Sequence, residues 1–227
     1  MRVLAVIPAY NEEECLADTV DELSRTCPDV DYLVVNDGSK DGTQSVIDRE
    51  HMRAVSLPVN TGLTSGFRTG MKYAARHGYD AVVQFDADGQ HVPSYIPKMA
   101  RALEDHAADI VIASRCLDGS YRLSGPRGLG SRLISFLIRA TTGTKITDPT
   151  SGMRMYGRKM IDLFAHGFDI APEPDMLAYV ASRGGTVVEI QTKMRERQGG
   201  ESYFHLGNVI KYMSRTCLSI LMFRFLR

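Results

Sequence analysis

The chain has no net charge: 27 Lys and Arg residues balance 27 Asp and Glu. Proteins built mainly to hold nucleic acid carry a basic excess, so the balance argues against that class. Cysteine is sparse. Cys15, Cys27, Cys116 and Cys217 are scattered and form no C-x-x-C pair. That argues against a metal cage or a disulfide framework and favours a reducing compartment. No uninterrupted apolar stretch is long enough to span a bilayer. The apolar part of residues 1–8 is too short for a signal peptide and reads as a first strand. No G-x-G-x-x-G opens the first helix and no G-x-x-x-x-G-K-[ST] occurs, which weakens dinucleotide and P-loop readings. Internal repeats and low-complexity linkers are also absent, and 227 residues suit one domain with a full core.

What is present is an alternation of apolar, β-branched runs with helical patterns. Strands are expected at 3–7, 32–35, 53–57, 81–85 and 110–113. Helices are expected at 12–25, 43–50, 65–77 and 94–106. This order implies an α/β fold with a mostly parallel sheet, helices on both faces and right-handed crossovers. From 114 onward the pattern is less regular. It shows a Gly- and Arg-rich loop at 116–130, a helix near 131–141 and a polar turn at 147–152. Glu173-Pro174-Asp175 precedes a further helix, and 186–191 reads as a strand. In such sheets ligands bind beyond the carboxyl ends of the strands. Those ends deliver Pro8-Ala9-Tyr10-Asn11-Glu12, Asn36-Asp37-Gly38-Ser39, Asn60-Thr61-Gly62 and Asp86-Ala87-Asp88-Gly89.

The last segment is the most informative. In extended backbone, alternate side chains point the same way, so Asp86 and Asp88 are expected to face one site. Adjacent carboxylates repel unless a cation lies between them. Mg²⁺ or Mn²⁺, shared with substrate phosphates, fits that need. Gly89 allows a sharp turn and close approach to a ligand. A plain polar turn is the alternative for an isolated D-x-D.

Taken together, these segments resemble the inverting family 2 glycosyltransferases of GT-A fold. The branch they resemble contains dolichyl-phosphate mannose synthase and the polyprenyl-phosphate glucose synthases. Ser114-Arg115, Asp148-Pro149-Thr150-Ser151-Gly152-Met153-Arg154 and residues 195–202 extend the likeness to about Phe204. The resemblance implies a Rossmann-like single domain at 1–204, with a nucleotide-sugar half (1–113) and an acceptor half (114–204). It implies metal-dependent, inverting transfer of a hexose from a UDP- or GDP-linked donor to a polyprenyl phosphate.

Site roles follow from the same likeness. Pro8, Tyr10 and Glu12 would line the base and ribose pocket, and Asp37 would bond the base edge. Asp86 and Asp88 would hold the diphosphate through the metal, with Gln90 beside it. Arg115 would lie near the donor sugar or diphosphate. Arg127, Ser131 and Arg197 would grip acceptor or donor phosphates. Asn36 stands where a second aspartate is common, and Glu173-Pro174-Asp175 replaces the usual acidic base motif.

Several residues keep two readings. Asp37 either reads a base or caps a helix. His91 is a metal ligand beside Asp88 or a loop histidine. Arg127 and Ser131, sharing a helical face, bind phosphate or are an ordinary exposed pair. Glu173 and Asp175 supply a general base or simply begin a helix. An alcohol acceptor needs a base, whereas an ionised phosphate does not. Transfer to a hydroxyl of a glycan or lipid-linked saccharide, nucleotidyl transfer and a non-catalytic nucleotide-sugar sensor are the rival functions.

Residues 205–227 are expected to form an amphipathic helix lying in a membrane interface, with packing on the domain as the alternative. The protein is thus expected to be cytoplasmic and peripheral at the cytoplasmic membrane face, with a separate membrane-protein partner as one means of support.

Overall fold

The structure is a computed structural model that describes residues 1–119, 121, 125–167, 171–195 and 206–223; at 126, 127, 206–211 and 223 the side chains fall outside that description. Its centre is a seven-stranded sheet of order β3-β2-β1-β4-β6-β5-β7. The strands are β1 Val3–Ala9, β2 Asp31–Asn36, β3 Ala54–Ser56, β4 Ala81–Gln84, β5 Ile110–Ser114, β6 Arg154–Gly157 and β7 Val187–Gln191. All pairings are parallel except those of β6, which runs antiparallel to β4 and β5. The helices are α1 Leu16–Thr26, α2 Thr43–Arg49, α3 Leu63–His77, α4 Ile96–Asp105, α5 Gly125–Thr142, α6 Arg158–His166, α7 Pro174–Ser182 and α8 Leu206–Phe223.

The near-continuous apolar strands follow from burial on both faces. In β1, Leu4 and Val6 join a core with Phe67, Met71 and Tyr156, while Val3, Ala5 and Ile7 face a second core with Leu16, Leu23 and Met99. Two-residue periodicity thus splits one strand between two helix layers. Each buried Leu, Ile or Phe contributes about 1.5–3 kcal/mol.

Two features depart from the sequence expectations. β6 and α6 were not anticipated: a four-residue strand beginning with Arg154 carries too little periodicity to register. Helix α5 begins at Gly125 rather than near 131, because Gly and Pro read as loop yet are tolerated in a first helical turn. Helix α8 packs one face on the domain, the alternative reading of this segment, while Leu218, Leu221 and Met222 stay exposed on the rest of its surface. Thr216 and Ile220 are buried, and Met213 and Cys217 pack on the same core that holds α5 and α7. Their spacing marks one apolar stripe, the ordinary signature of a packed helix. Residues 224–227 lie outside the described residues.

Candidate active site

The loops after β1, β2 and β4 leave three adjacent strands at their carboxyl ends. Pro8 and Tyr10 are half-buried there. Asn11 takes a left-handed conformation (φ 56°). Its Oδ1 accepts the Lys40 N–H at 2.9 Å, and its own N–H donates to Ser39 Oγ at 3.0 Å. Glu12 donates its N–H to Thr43 Oγ1 at 2.9 Å, and its carbonyl accepts from Cys15 and Leu16. This turn is why α1 starts later than periodicity alone suggests.

Asp37 is 3% exposed. Its Oδ1 accepts from Thr61 N and Oγ1, both at 2.8 Å, and its Oδ2 accepts from Gly62 N at 2.7 Å. The carboxylate therefore sits at the positive N-terminus of α3, as a cap supplied from another loop. A carboxylate offers about four lone-pair positions, and three are used by these bonds. Asn36 is turned away from ligand chemistry: its Nδ2 donates to Gln44 Oε1 at 2.8 Å and its Oδ1 accepts from Ser39 N at 3.0 Å.

Asp86 and Asp88 lie past the end of β4, outside the strand, with Asp88 in the turn that follows. Strand alternation is therefore not what places them. Gly89, at φ 73°, makes the turn that it was expected to make. Asp88 is 2% exposed and its Oδ1 accepts the Gln90 N–H at 3.1 Å. The Asp86 side chain is about a third exposed. His91 Nδ1 accepts the Asp86 N–H at 2.9 Å, so in the neutral ring the proton sits on Nε2, which faces Asp86 Oδ2 at 3.5 Å. The ring is fully buried. His91 thus buttresses Asp86 through the backbone N–H and faces its carboxylate. Among the described residues no group of three His, Cys, Asp or Glu side chains gathers as a self-sufficient metal cage. Two carboxylates completed by a ligand's phosphates still suit a hard cation. Gly152 keeps room at this point, because a Cβ there would lie 2.9 Å from Asp86 Oδ2. Gln90 follows directly: its Nε2 donates to the Arg195 carbonyl at 3.4 Å and its backbone carbonyl accepts the Arg195 N–H, bonds that do not involve Oε1.

The second half contributes a buried polar frame that sequence reasoning did not find. Arg115 forks onto Asp148, with Nε to Oδ2 and Nη2 to Oδ1 both at 2.7 Å. Burial alone pushes the Asp148 carboxyl up, but the Arg115 fork and charge outweigh it and hold the group below the ordinary carboxylate value. Arg115 was expected at the donor; these bonds commit Nε and Nη2 to the protein and leave Nη1 outside the pair. Glu189 on β7 accepts from Thr147 N, Thr147 Oγ1 and Asp148 N, fixing the turn from below. Thr150 Oγ1 reaches Ser131 Oγ at 3.4 Å. Beside this frame lies a cavity of about 410 Å³, lined by Cys116, Tyr121, Ser131, Arg132 and Thr147 among others.

Arg154 links these parts. Its buried guanidinium donates to the carbonyls of Ser151 (2.9 Å), Pro149 (2.7 Å) and Pro172 (3.0 Å). Glu173 precedes the first turn of α7, and its Oε2 accepts from Tyr212 Oη on α8. Asp175 accepts the Met176 N–H at 3.1 Å in the first turn, a helix-start role. A chain of contacts therefore runs from Asp86 past Gly152 and Arg154 to Glu173 and Tyr212. The Arg127 side chain and the whole of Arg197 lie outside the described residues.

A mostly parallel sheet with one reversed strand and a carboxylate pair beyond β4 is the arrangement of a GT-A fold. The chain belongs to glycosyl transferase family 2, whose profile matches residues 4–164. It is 36% identical over 224 residues to the undecaprenyl-phosphate mannosyltransferase of Micrococcus luteus, covering 92% of this chain and 90% of that protein. It is 32% identical over 228 residues to the polyprenol monophosphomannose synthase of Mycolicibacterium smegmatis, covering 93% and 84%. Among solved structures, glucosyl-3-phosphoglycerate synthase from Mycobacterium tuberculosis with uridine diphosphate superposes with a TM-score of 0.74 at 20% identity, covering 98% of this chain and 80% of that one. A complex of the same enzyme with Mn²⁺, uridine diphosphate and product gives 0.71 at 22% identity, covering 98% and 79%. At that identity the likeness is one of fold.

Proposed function

We propose that this glycosyltransferase moves a hexose from a nucleoside diphosphate sugar to a polyprenyl phosphate, with inversion. The observation that carries the reading is the cavity lined by Ser131, Arg132 and Thr147, in a chain whose relatives include two polyprenyl-phosphate mannosyltransferases. Residues 1–113 supply the donor side and 114–204 the acceptor side. Pro8, Tyr10 and Glu12 flank the nucleoside, and the remaining lone pair of Asp37 takes one base N–H. Asp86 and Asp88 would hold a divalent cation, such as the Mn²⁺ in the structural neighbour, and it would supply charge stabilisation for the departing diphosphate. Arg132 and Ser131 bind the acceptor phosphate, joined by Arg127, which lies four residues before Ser131 on α5. The acceptor oxygen bonds to the anomeric carbon as the bond to diphosphate breaks, and the electron pair leaves with the nucleotide. The test is incubation with labelled GDP-mannose or UDP-glucose, Mn²⁺ and either polyprenyl phosphate or polyprenol. Label in the lipid phase only with the phosphate supports the reading; equal labelling of polyprenol transfers the function to hydroxyl chemistry.

The acceptor's lipid tail gives meaning to a second feature. Leu129, Leu133 and Phe136 on α5 and Leu218, Leu221 and Met222 on α8 are large apolar side chains exposed to solvent. Arg132, Arg139 and Arg215 are exposed on the same two helices, neither of which contains an acidic residue. Exposed apolar rows with basic neighbours suit the surface of an anionic bilayer. No helix among the described residues is long and apolar enough to cross one. Peripheral attachment at the cytoplasmic face, with or without a membrane-protein partner, is the reading this supports. L133S/F136S should lower flotation with anionic liposomes by roughly tenfold or more. Its activity on a short, water-soluble isoprenyl phosphate should stay near wild type. Unchanged flotation removes α5 from the membrane face.

A further inference from the structure

The bond from Tyr212 on α8 to Glu173 before α7 has no place in the donor chemistry, yet it reaches into the acceptor half. Glu173 has extended backbone (φ −100°, ψ 165°) and its side chain does not cap its own helix. The carboxylate instead reaches across to α8. Behind it, Arg154 Nη1 donates to the Pro172 carbonyl at 3.0 Å and the Glu173 carbonyl at 3.4 Å, while Nε and Nη2 hold the 149–151 turn. That turn adjoins the Arg115–Asp148 fork and the Ser131 hydroxyl. On its other side α8 meets α5 beside Ser131: a Cβ on Gly130 would sit 2.9 Å from Met213 Sδ. Helix α8 therefore touches α5 next to Ser131, which lines the cavity, and the Glu173 segment, which Arg154 ties to the 149–151 turn.

We infer that Tyr212 and Glu173 are a positioning pair that makes α8 a wall of the acceptor site, so that Glu173 serves as an anchor rather than as a general base. Tyr212 is largely buried, and burial followed by the nearby Glu173 charge pushes its hydroxyl pKa well up, so it stays a donor throughout the working pH range. The bond commits Glu173 Oε2 to α8. The inference rests on the phosphate acceptor proposed above. A phosphate monoester attacks through an oxygen that is already ionised near neutral pH, so no proton has to be taken.

The test uses full-length protein and three variants. Y212F removes the donor. E173Q keeps an acceptor oxygen but removes the basic group. E173A removes both. We expect Y212F and E173A to raise KM for polyprenyl phosphate by roughly tenfold or more, with kcat and donor Kd nearly unchanged. Amide exchange along α8 should quicken in both. E173Q should retain kcat within about threefold, with α8 protected as in wild type. A fall of about a thousandfold in kcat for E173Q, with α8 still protected, makes Glu173 the base and overturns the inference. Unchanged acceptor KM and α8 exchange in Y212F overturn it as well. The exchange readout needs no turnover. If wild type fails to glycosylate polyprenyl phosphate while Y212F still loosens α8, the anchor stands and the acceptor assignment falls.

Discussion

Asp88→Asn should lower turnover by about a thousandfold or more while leaving the fold intact. Asn keeps the size of the side chain and the Oδ1 acceptor that Asp88 offers to the Gln90 N–H. The site lies in a turn past β4, so little packing depends on its charge. What the change removes is half of the carboxylate pair that would hold a divalent cation against the leaving diphosphate. Stability should therefore stay within about 1 kcal/mol of wild type, as expected for a substitution that leaves packing unaltered. Mn²⁺ titration of turnover should show a weaker apparent affinity, and donor affinity should lose its metal dependence. Asp86→Asn should behave similarly, although His91 Nε2 faces that carboxylate and would meet the amide instead. Full turnover of Asp88→Asn in the presence of a chelator would end the metal assignment.

The strand-end residues of the first half, proposed above as the donor side, are largely legible in the sequence because they are written in short local strings. A strand followed by a polar turn brings its residues to the sheet rim whatever the rest of the chain does. This is why Tyr10, Asp37, Asp86 and Asp88 were picked out together. Even there the reason for the placement was imperfect, since a turn at Gly89 rather than strand alternation sets the two aspartates. The acceptor side is different. Asp148 is 33 residues from Arg115, Glu189 is 41 from Asp148, and Tyr212 is 39 from Glu173. No local period links such partners. Glu189 lies in a segment read only as a strand, and Arg154 closes a motif whose internal bonding no local pattern reveals. Their importance lies in tertiary hydrogen bonds that only the fold creates.

The second large effect is expected at Asp148. Its side chain is fully buried and its fork with Arg115 is bidentate. Asp148→Ala leaves a mostly buried guanidinium without its counter-charge, and removing one partner of such a pair typically costs about 3–5 kcal/mol. Arg115→Ala should cost a similar amount by stranding the carboxylate. The double variant should be less destabilised than the sum of the two, because neither charge is then left alone. Urea midpoints for the four proteins measure this directly. The pair also predicts a pH signature. The Asp148 carboxyl is held below its ordinary value in the folded state: burial raises it, and the Arg115 fork and charge more than offset that. A group depressed on folding contributes stability above its unfolded pKa, about 3.9, and loses it as pH falls through the lower folded value. The stability advantage of wild type over Asp148→Asn should therefore be full above about pH 5 and shrink below about pH 4. A difference between the two proteins that stays constant into strong acid would show that packing, not the ion pair, makes Asp148 important. Because Arg115, Thr150 and Ser131 share this frame, acid conditions that loosen it should also weaken acceptor use before the sheet itself unfolds.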